Sequence, residues 1–294
     1  MTFRKDVNLD PGRVSTSSGG RGGVIAAGGG LGSLVLVGLF LLLGGNPAEL
    51  GGLLGGGQDQ VDSADGGDYS LDHCVTGEDA NKYDDCRMVG IAASVDEVWS
   101  KVLPEQANID YVQPGVHLFR DSVSTGCGSA TSATGPFYCP KDRTAYLDVS
   151  FFEQLAQLGG SNGPLAQEYI VAHEIGHHIQ NLEGTLGLSN YEDPGADSNA
   201  VKIELQADCY GGIWAHYANN SSSFESFTDE QLRDALDTAG AVGDDNIQRR
   251  SGGRVNPESF THGTSKQREQ AFKAGFESGK MSQCDTLGRG GYRG

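Results

Sequence analysis

Residues 24–43, VIAAGGGLGSLVLVGLFLLL, run for twenty positions without a charge, and no other stretch constrains the chain as strongly. A helix rises about 1.5 Å per residue, so this run matches the roughly 30 Å hydrocarbon core of a bilayer. All 294 residues therefore cannot belong to one globular body. Arg4, Lys5, Arg13 and Arg21 precede the run, and no Lys or Arg follows until Lys82. Lys and Arg favour the cytoplasmic side, so the expectation is a single-pass cell-membrane protein, N-terminus inside and C-terminal domain extracytoplasmic. A cleaved signal peptide would have a shorter apolar core and an A-x-A site. GGNPAELGG follows instead, which favours a retained anchor. Gly28 and Gly32 fit a small-xxx-small helix contact, a pattern that leaves the oligomeric state open.

The other boundaries follow from composition. Residues 1–23 are polar and rich in Gly, Ser and Arg, and are expected to form a disordered cytoplasmic tail. Residues 44–72 read as a Gly- and Asp-rich linker, 73–287 as the folded body, and 288–294 as a flexible tail. The net charge of -18 opposes association with nucleic acid, so none is expected among the partners.

All six cysteines, Cys74, Cys86, Cys127, Cys139, Cys209 and Cys284, lie beyond the anchor. An even count in an oxidising compartment points to disulfides. Near neighbours are favoured, Cys74 with Cys86 and Cys127 with Cys139. Cys209 and Cys284 are then left to tie back the C-terminus.

Start and stop signals divide the body. Ser94-Val-Asp-Glu97 reads as a capping box opening a short helix that Pro104 ends. Residues 116–123 and 144–149 read as strands, and Ser150-Phe-Phe-Glu153 as a second helix start. Pro164 opens a helix running to about Asn181, and another covers about Asn199 to Tyr217. Thr228 and Thr264 open two more. The fold class is α+β, helix-dominated, with a small sheet upstream of a histidine-rich helix.

That helix carries HEIGHH at residues 173–178. His173 and His177 are four apart and share one helical face, so both imidazoles can reach one ion. Glu174 stands beside them, where its carboxylate can act as general base on a water in the site. A catalytic zinc needs a third protein ligand. Glu183 lies six residues after His177, but on a continuing helix it points away. Glu204 is the stronger candidate. It sits with Asp208, four residues on, in NAVKIELQADCYGGIWAHYA. Asp208 is suited to orient a ligating histidine. Gly211, Gly212 and Ala215 leave room for a neighbouring helix. His178 is rotated from the ligand face and reads as a surface or supporting group. Asp244-Asp245 is acidic but lacks a calcium-loop pattern.

HEIGHHIQ, ELQADCYGGIWAHYA, FTHGTSKQREQAFKAGFESG and CGSATSATGPFYCPKDRTAYLDVSFFEQL together resemble the bacterial membrane-anchored neutral zinc metallopeptidases. The resemblance covers about residues 75–285 and implies a zincin-like fold with an HExxH plus Glu site and a Zn²⁺ cofactor. A more distant resemblance to membrane-associated zincins with a late Thr-His-Pro segment points to His262 and Arg268. It implies that His262 donates to the developing oxyanion and that Arg268 anchors its loop or a nearby carboxylate.

The reading is a membrane-anchored zinc metallopeptidase, with metalloendopeptidase as the expected type and a peptide or protein as substrate. The strand at 144–149 is expected to be the edge that an extended peptide pairs with. The alternative is a membrane-tethered scaffold whose zinc is structural, which predicts bound metal without turnover.

Overall fold

The computed structural model describes residues 2–18, 69–152, 155, 159–252 and 254–293. The expected span at 24–43 lies outside them, as do 19–23 and 44–68. Among the described residues no helix is long and apolar enough to cross a membrane.

The core is helical. Helix α1 covers Gly77–Lys82 and α2 Asp84–Ala107. Helix α3 covers Pro164–Glu183 and α4 Asn199–Ala218. Then come α5 (Asp229–Ala241), α6 (Asp244–Arg250) and α7 (Ser265–Ser278). Pro164 occupies the first turn of α3, where its missing N–H costs no helical bond. Gly184, at φ 71°, closes that helix in the left-handed conformation. Helices α5 and α7 open on capping boxes built by Thr228 with Gln231 and Thr264 with Gln267.

The capping box expected at Ser94 does not form. Ser94 lies in the middle of the 24-residue α2, and its hydroxyl accepts the Trp214 indole N–H at 2.9 Å. Met88, Ile91, Val95, Trp99 and Val102 recur at helical spacing and are buried along one face. That continuous apolar face outweighs the local cap. Pro104 stays inside the last turn, and the helix ends at Asn108, φ 57°. After Ser150, residues 151, 152 and 155 are helical.

A four-stranded sheet has the order β1 (Ser15–Ser18), β2 (Gly115–Arg120), β6 (Thr144–Asp148), β5 (Phe137–Cys139). The first three are parallel, and β5 runs antiparallel to β6. Strands β3 (Ser122–Thr125) and β4 (Gly128–Thr131) form a separate hairpin. The single strand expected over 116–123 is broken at Asp121, whose φ of 66° turns the chain out of β2. Strand β6 is not an edge, as expected, but lies between β2 and β5. The antiparallel edge is β5.

Residues 2–18 are not a free tail. Strand β1 belongs to the main sheet, and Phe3 is 2% exposed, its ring 4.4 Å from that of Phe224. Arg13 pairs with Asp96 at 2.6 Å. The segment's backbone also bonds to the body, Gly77 N–H donating to Val7 O at 2.7 Å and Leu9 N–H to Val75 O at 2.9 Å. An aromatic anchor and satisfied backbone groups outweigh the polar composition that suggested disorder. The C-terminal tail is likewise docked. Tyr292 donates to Glu183 Oε1 at 2.9 Å, and Arg293 N–H to Gln106 O at 2.7 Å. Three disulfides join Cys74 to Cys86, Cys127 to Cys139 and Cys209 to Cys284.

Candidate metal centre

Helices α3 and α4 cross where α3 carries Gly176. A Cβ there would lie 3.0 Å from Ala207 Cα and 2.9 Å from Ala207 O, so only glycine permits this approach. The small residues of α4 do leave room for neighbouring helices: Gly212 faces the backbone of α7 at Phe272, and α7's Gly275 faces Cys209 of α4. Gly211 faces α3, where a Cβ would make ordinary contact with Tyr169 and His173.

The crossing brings His173 and His177 of α3 against Glu204 of α4. His173 Nε2 lies 3.3 Å from Glu204 Oε2, and His177 Nε2 3.6 Å from Glu204 Oε1. One ligand-type atom from each of the three residues falls within 4.8 Å of the other two. Donors bound at about 2.0–2.1 Å around a tetrahedral zinc are roughly 3.3 Å apart, so the set fits that ion. His173 and Glu204 are buried, as is Glu174.

Each histidine is fixed through its other ring nitrogen. His173 Nδ1 lies 2.7 Å from Asp208 Oδ1, so Nδ1–H donates and Nε2 turns toward the metal position. Asp208 also accepts from Tyr169 and, at 2.7 and 2.8 Å, from Arg268. Burial pushes the Asp208 carboxyl up, but Arg268 and His173 outweigh it and hold it down at about 2. His177 Nδ1–H donates to Gln180 Oε1 at 2.8 Å, while the Gln180 amide donates to Ile203 O at 2.7 Å. Burial raises the Glu174 carboxyl above its usual range.

His262 is held by Asp244. The Asp244 Oδ2 accepts backbone N–H groups of Thr261, His262 and Gly263 at 2.8, 2.7 and 2.9 Å, and Oδ1 lies 3.1 Å from His262 Nδ1. Burial pulls the His262 imidazole down, but the bond to Asp244 and the nearby Glu204 charge hold it above its ordinary value. Tyr191 donates to Glu204 Oε1 at 3.3 Å.

Glu183 points away from the donors, accepting from Tyr210 and Tyr292 at 2.8 and 2.9 Å. His178 is fully buried rather than at the surface. Tyr138 of β5 bonds to its Nδ1 at 2.9 Å, and its Nε2 reaches Val112 O at 2.6 Å. It bolts the edge strand to α3 one residue past His177. A second cluster of ligand-type atoms, His73, Cys74, Asp85 and Cys86, has both sulfurs joined in a disulfide, which removes the thiolate donors. A cavity of about 540 Å³ between Tyr83, Arg120 and Asp148 contains none of the donors.

Residues 2–287 match the family described as "Putative neutral zinc metallopeptidase". The chain belongs to that family. It is 46% identical over 257 residues to an uncharacterized protein of Mycobacterium tuberculosis, covering 84% of each chain. It is also 41% identical over 207 residues to the uncharacterized protein YpfJ of Escherichia coli, covering 68% of this chain and 70% of YpfJ. No solved structure matches the chain significantly. The family match includes the docked N-terminal segment as well as the metal-ligand helices.

Tyr191, Gln180 and Asp244 were not legible as site residues. Gln180, three residues after His177, belongs to no motif that marks a site residue. Asp244 was weighed only against a calcium loop, and Tyr191 falls in a connection without a motif.

Proposed function

We propose that this protein is a membrane-associated zinc metallopeptidase, most simply an endopeptidase, whose body works in an oxidising compartment outside the cytoplasm. One observation carries the reading: two imidazoles and one carboxylate, from two helices, converge within bonding range of one ion, with Glu174 beside them. Three donors leave a tetrahedral ion one open position, whereas structural zinc is closed by four ligands. That favours a peptidase over the scaffold alternative. Three disulfides support the compartment.

His173, His177 and Glu204 would hold the metal. When bound, zinc there supplies Lewis acidity toward a carbonyl and lowers the pKa of water. Glu174 then accepts the proton of the attacking water on its carboxylate and delivers it to the departing amine nitrogen. His262, its Nδ1 fixed by Asp244, donates from Nε2 to the carbonyl oxygen as negative charge develops. Asp208 and Arg268 orient His173 without touching substrate. An extended peptide pairs along β5, tied to α3 through Tyr138 and His178. A peptide-library digest with Glu174→Gln beside wild type tests the proposal. The variant is expected to lose turnover, and full activity in it would remove the general-base assignment.

A further inference from the structure

Each of the two histidines of the metal centre has a partner that fixes it, Asp208 for His173 and Gln180 for His177. Glu204 has one too. The Tyr191 hydroxyl keeps its proton at neutral pH and donates to Glu204 Oε1 at 3.3 Å. The other oxygen, Oε2, stands nearer a ligand nitrogen. It lies 3.3 Å from His173 Nε2, whereas Oε1 is 3.6 Å from His177 Nε2.

The bond from Tyr191 matters most in the metal-bound protein. Histidine binds a metal through an unprotonated nitrogen, so Nε2 of His173 and of His177 then has no proton to give Glu204. Glu204 is buried, and a buried carboxylate oxygen needs a donor. Among the described residues, Tyr191 is the donor to Glu204 that stands outside the ligand set. Without that donor Oε1 is left to water or to the ion itself. The second choice makes the carboxylate bidentate and takes up the position that an attacking water needs.

The backbone that carries Tyr191 is held along its length. The connection from α3 to α4 opens with Thr185, whose N–H and hydroxyl both donate to Gln180 O, at 2.9 and 3.1 Å. A single 3-10 turn follows at Leu186–Leu188. Asn190 Oδ1 accepts the Glu192 N–H at 3.2 Å, which turns the chain around Tyr191. Gly195 donates its N–H to Phe260 O at 2.8 Å, and Phe260 is buried two residues before His262. The connection ends at Ser198, which caps α4 by accepting the Val201 N–H at 3.2 Å. Tyr191 is thereby tied to the residue that orients His177, to the loop of His262 and to the helix of Glu204.

We infer, resting on His173, His177 and Glu204 as the ligands but not on the reaction, that Tyr191 is the positioning residue of the third ligand. Its hydroxyl holds Glu204 Oε1, presents Oε2 to the metal and keeps the fourth position open.

The test uses the full-length protein, stripped of metal and titrated with Co²⁺, with Zn²⁺ affinity read by chelator competition. Cobalt absorbs visible light several-fold more strongly in four-coordinate than in five-coordinate sites. Tyr191→Phe keeps the ring and removes only the hydroxyl. Its cobalt complex is expected to lose several-fold in absorption per bound ion, and its zinc affinity to fall about 10-fold, as for other hydrogen-bond partners of metal ligands. Leu188→Ala, at an exposed position of the same connection, leaves the hydroxyl in place and should reproduce the wild-type spectrum. An equal change in Leu188→Ala would trace the effect to the connection and overturn the inference. Wild-type absorption and affinity in Tyr191→Phe, with Glu204→Ala losing the metal, would overturn it while leaving the ligand set standing. A wild-type protein that binds neither ion, or a Glu204→Ala variant that binds as wild type does, would remove the ligand set and the role of Tyr191 with it.

Discussion

Arg268 grips Asp208 with two hydrogen bonds, at 2.7 and 2.8 Å, and the same carboxylate lies 2.7 Å from His173 Nδ1. A residue of the last helix thereby fixes the orientation of His173, one of the three residues that could hold a metal. Asp208 is fully buried and ionised, and Arg268 is its counter-charge.

Asp208→Asn keeps the shape but weakens the acceptor that fixes the His173 tautomer. Zinc affinity is expected to fall about 10- to 100-fold, read by chelator competition. Arg268→Met leaves the carboxylate buried without its counter-charge, and should destabilise the fold by about 3–5 kcal/mol in urea denaturation. An unchanged midpoint would mean that Asp208 finds another partner.

Gln180 serves His177 as Asp208 serves His173. Gln180→Leu removes that acceptor and also the amide that donates to Ile203 O at 2.7 Å and to Gln206 Oε1 at 3.0 Å. A stability loss of about 1–3 kcal/mol is expected from the unpaired groups, with weaker zinc binding. Gln180→Glu, which retains an acceptor for His177, should recover more of the zinc affinity than of the stability. Equal zinc affinity in all three forms would end the orienting role.

Much of this arrangement was readable beforehand, for reasons that are local. His173, Glu174 and His177 share a face by helical periodicity alone, and the boundaries of α3, α5 and α7 follow from Pro164, Thr228 and Thr264. What escaped depends on contacts distant in sequence. Ser94 looked like a cap because its partner, Trp214, is 120 residues away. Strand β6 looked like an edge because β5 is too short, at three residues, to signal itself. The N-terminal segment looked disordered because only Phe3, against Phe224, reveals that it has a place to bind.

That segment should therefore contribute to stability. Phe3→Ala is expected to cost about 3–5 kcal/mol, the range for deleting a buried aromatic ring. Gly90→Ala forces a Cβ toward the Phe3 ring and should cost about 1–3 kcal/mol. Thermal denaturation of the two variants and their combination measures both. The double variant should lose less than the sum, since removing the ring relieves the clash.

Glu168 gives a pH signature of the same contact. Burial pushes its carboxyl up to about 8, against the opposing effects of Thr2 and Arg87, and its Oε2 has no hydrogen-bond partner among the described residues. The folded state thus binds a proton that the unfolded chain has released above about pH 4.5. Stability should fall as pH rises from about 5 to 8, by at most about 1.4 kcal/mol per pH unit from this group. Glu168→Gln should flatten that slope in urea titrations at each pH, and an identical slope would remove Glu168 as its source.

The central claim is that Glu204 completes a zinc site begun by His173 and His177. The direct measurement is zinc per chain, by elemental analysis after dialysis against a weak chelator, for wild type and Glu204→Ala, with circular dichroism confirming that both are folded. About one zinc per wild-type chain and nearly none in the variant is the predicted result. Zinc retained undiminished in folded Glu204→Ala would contradict the site.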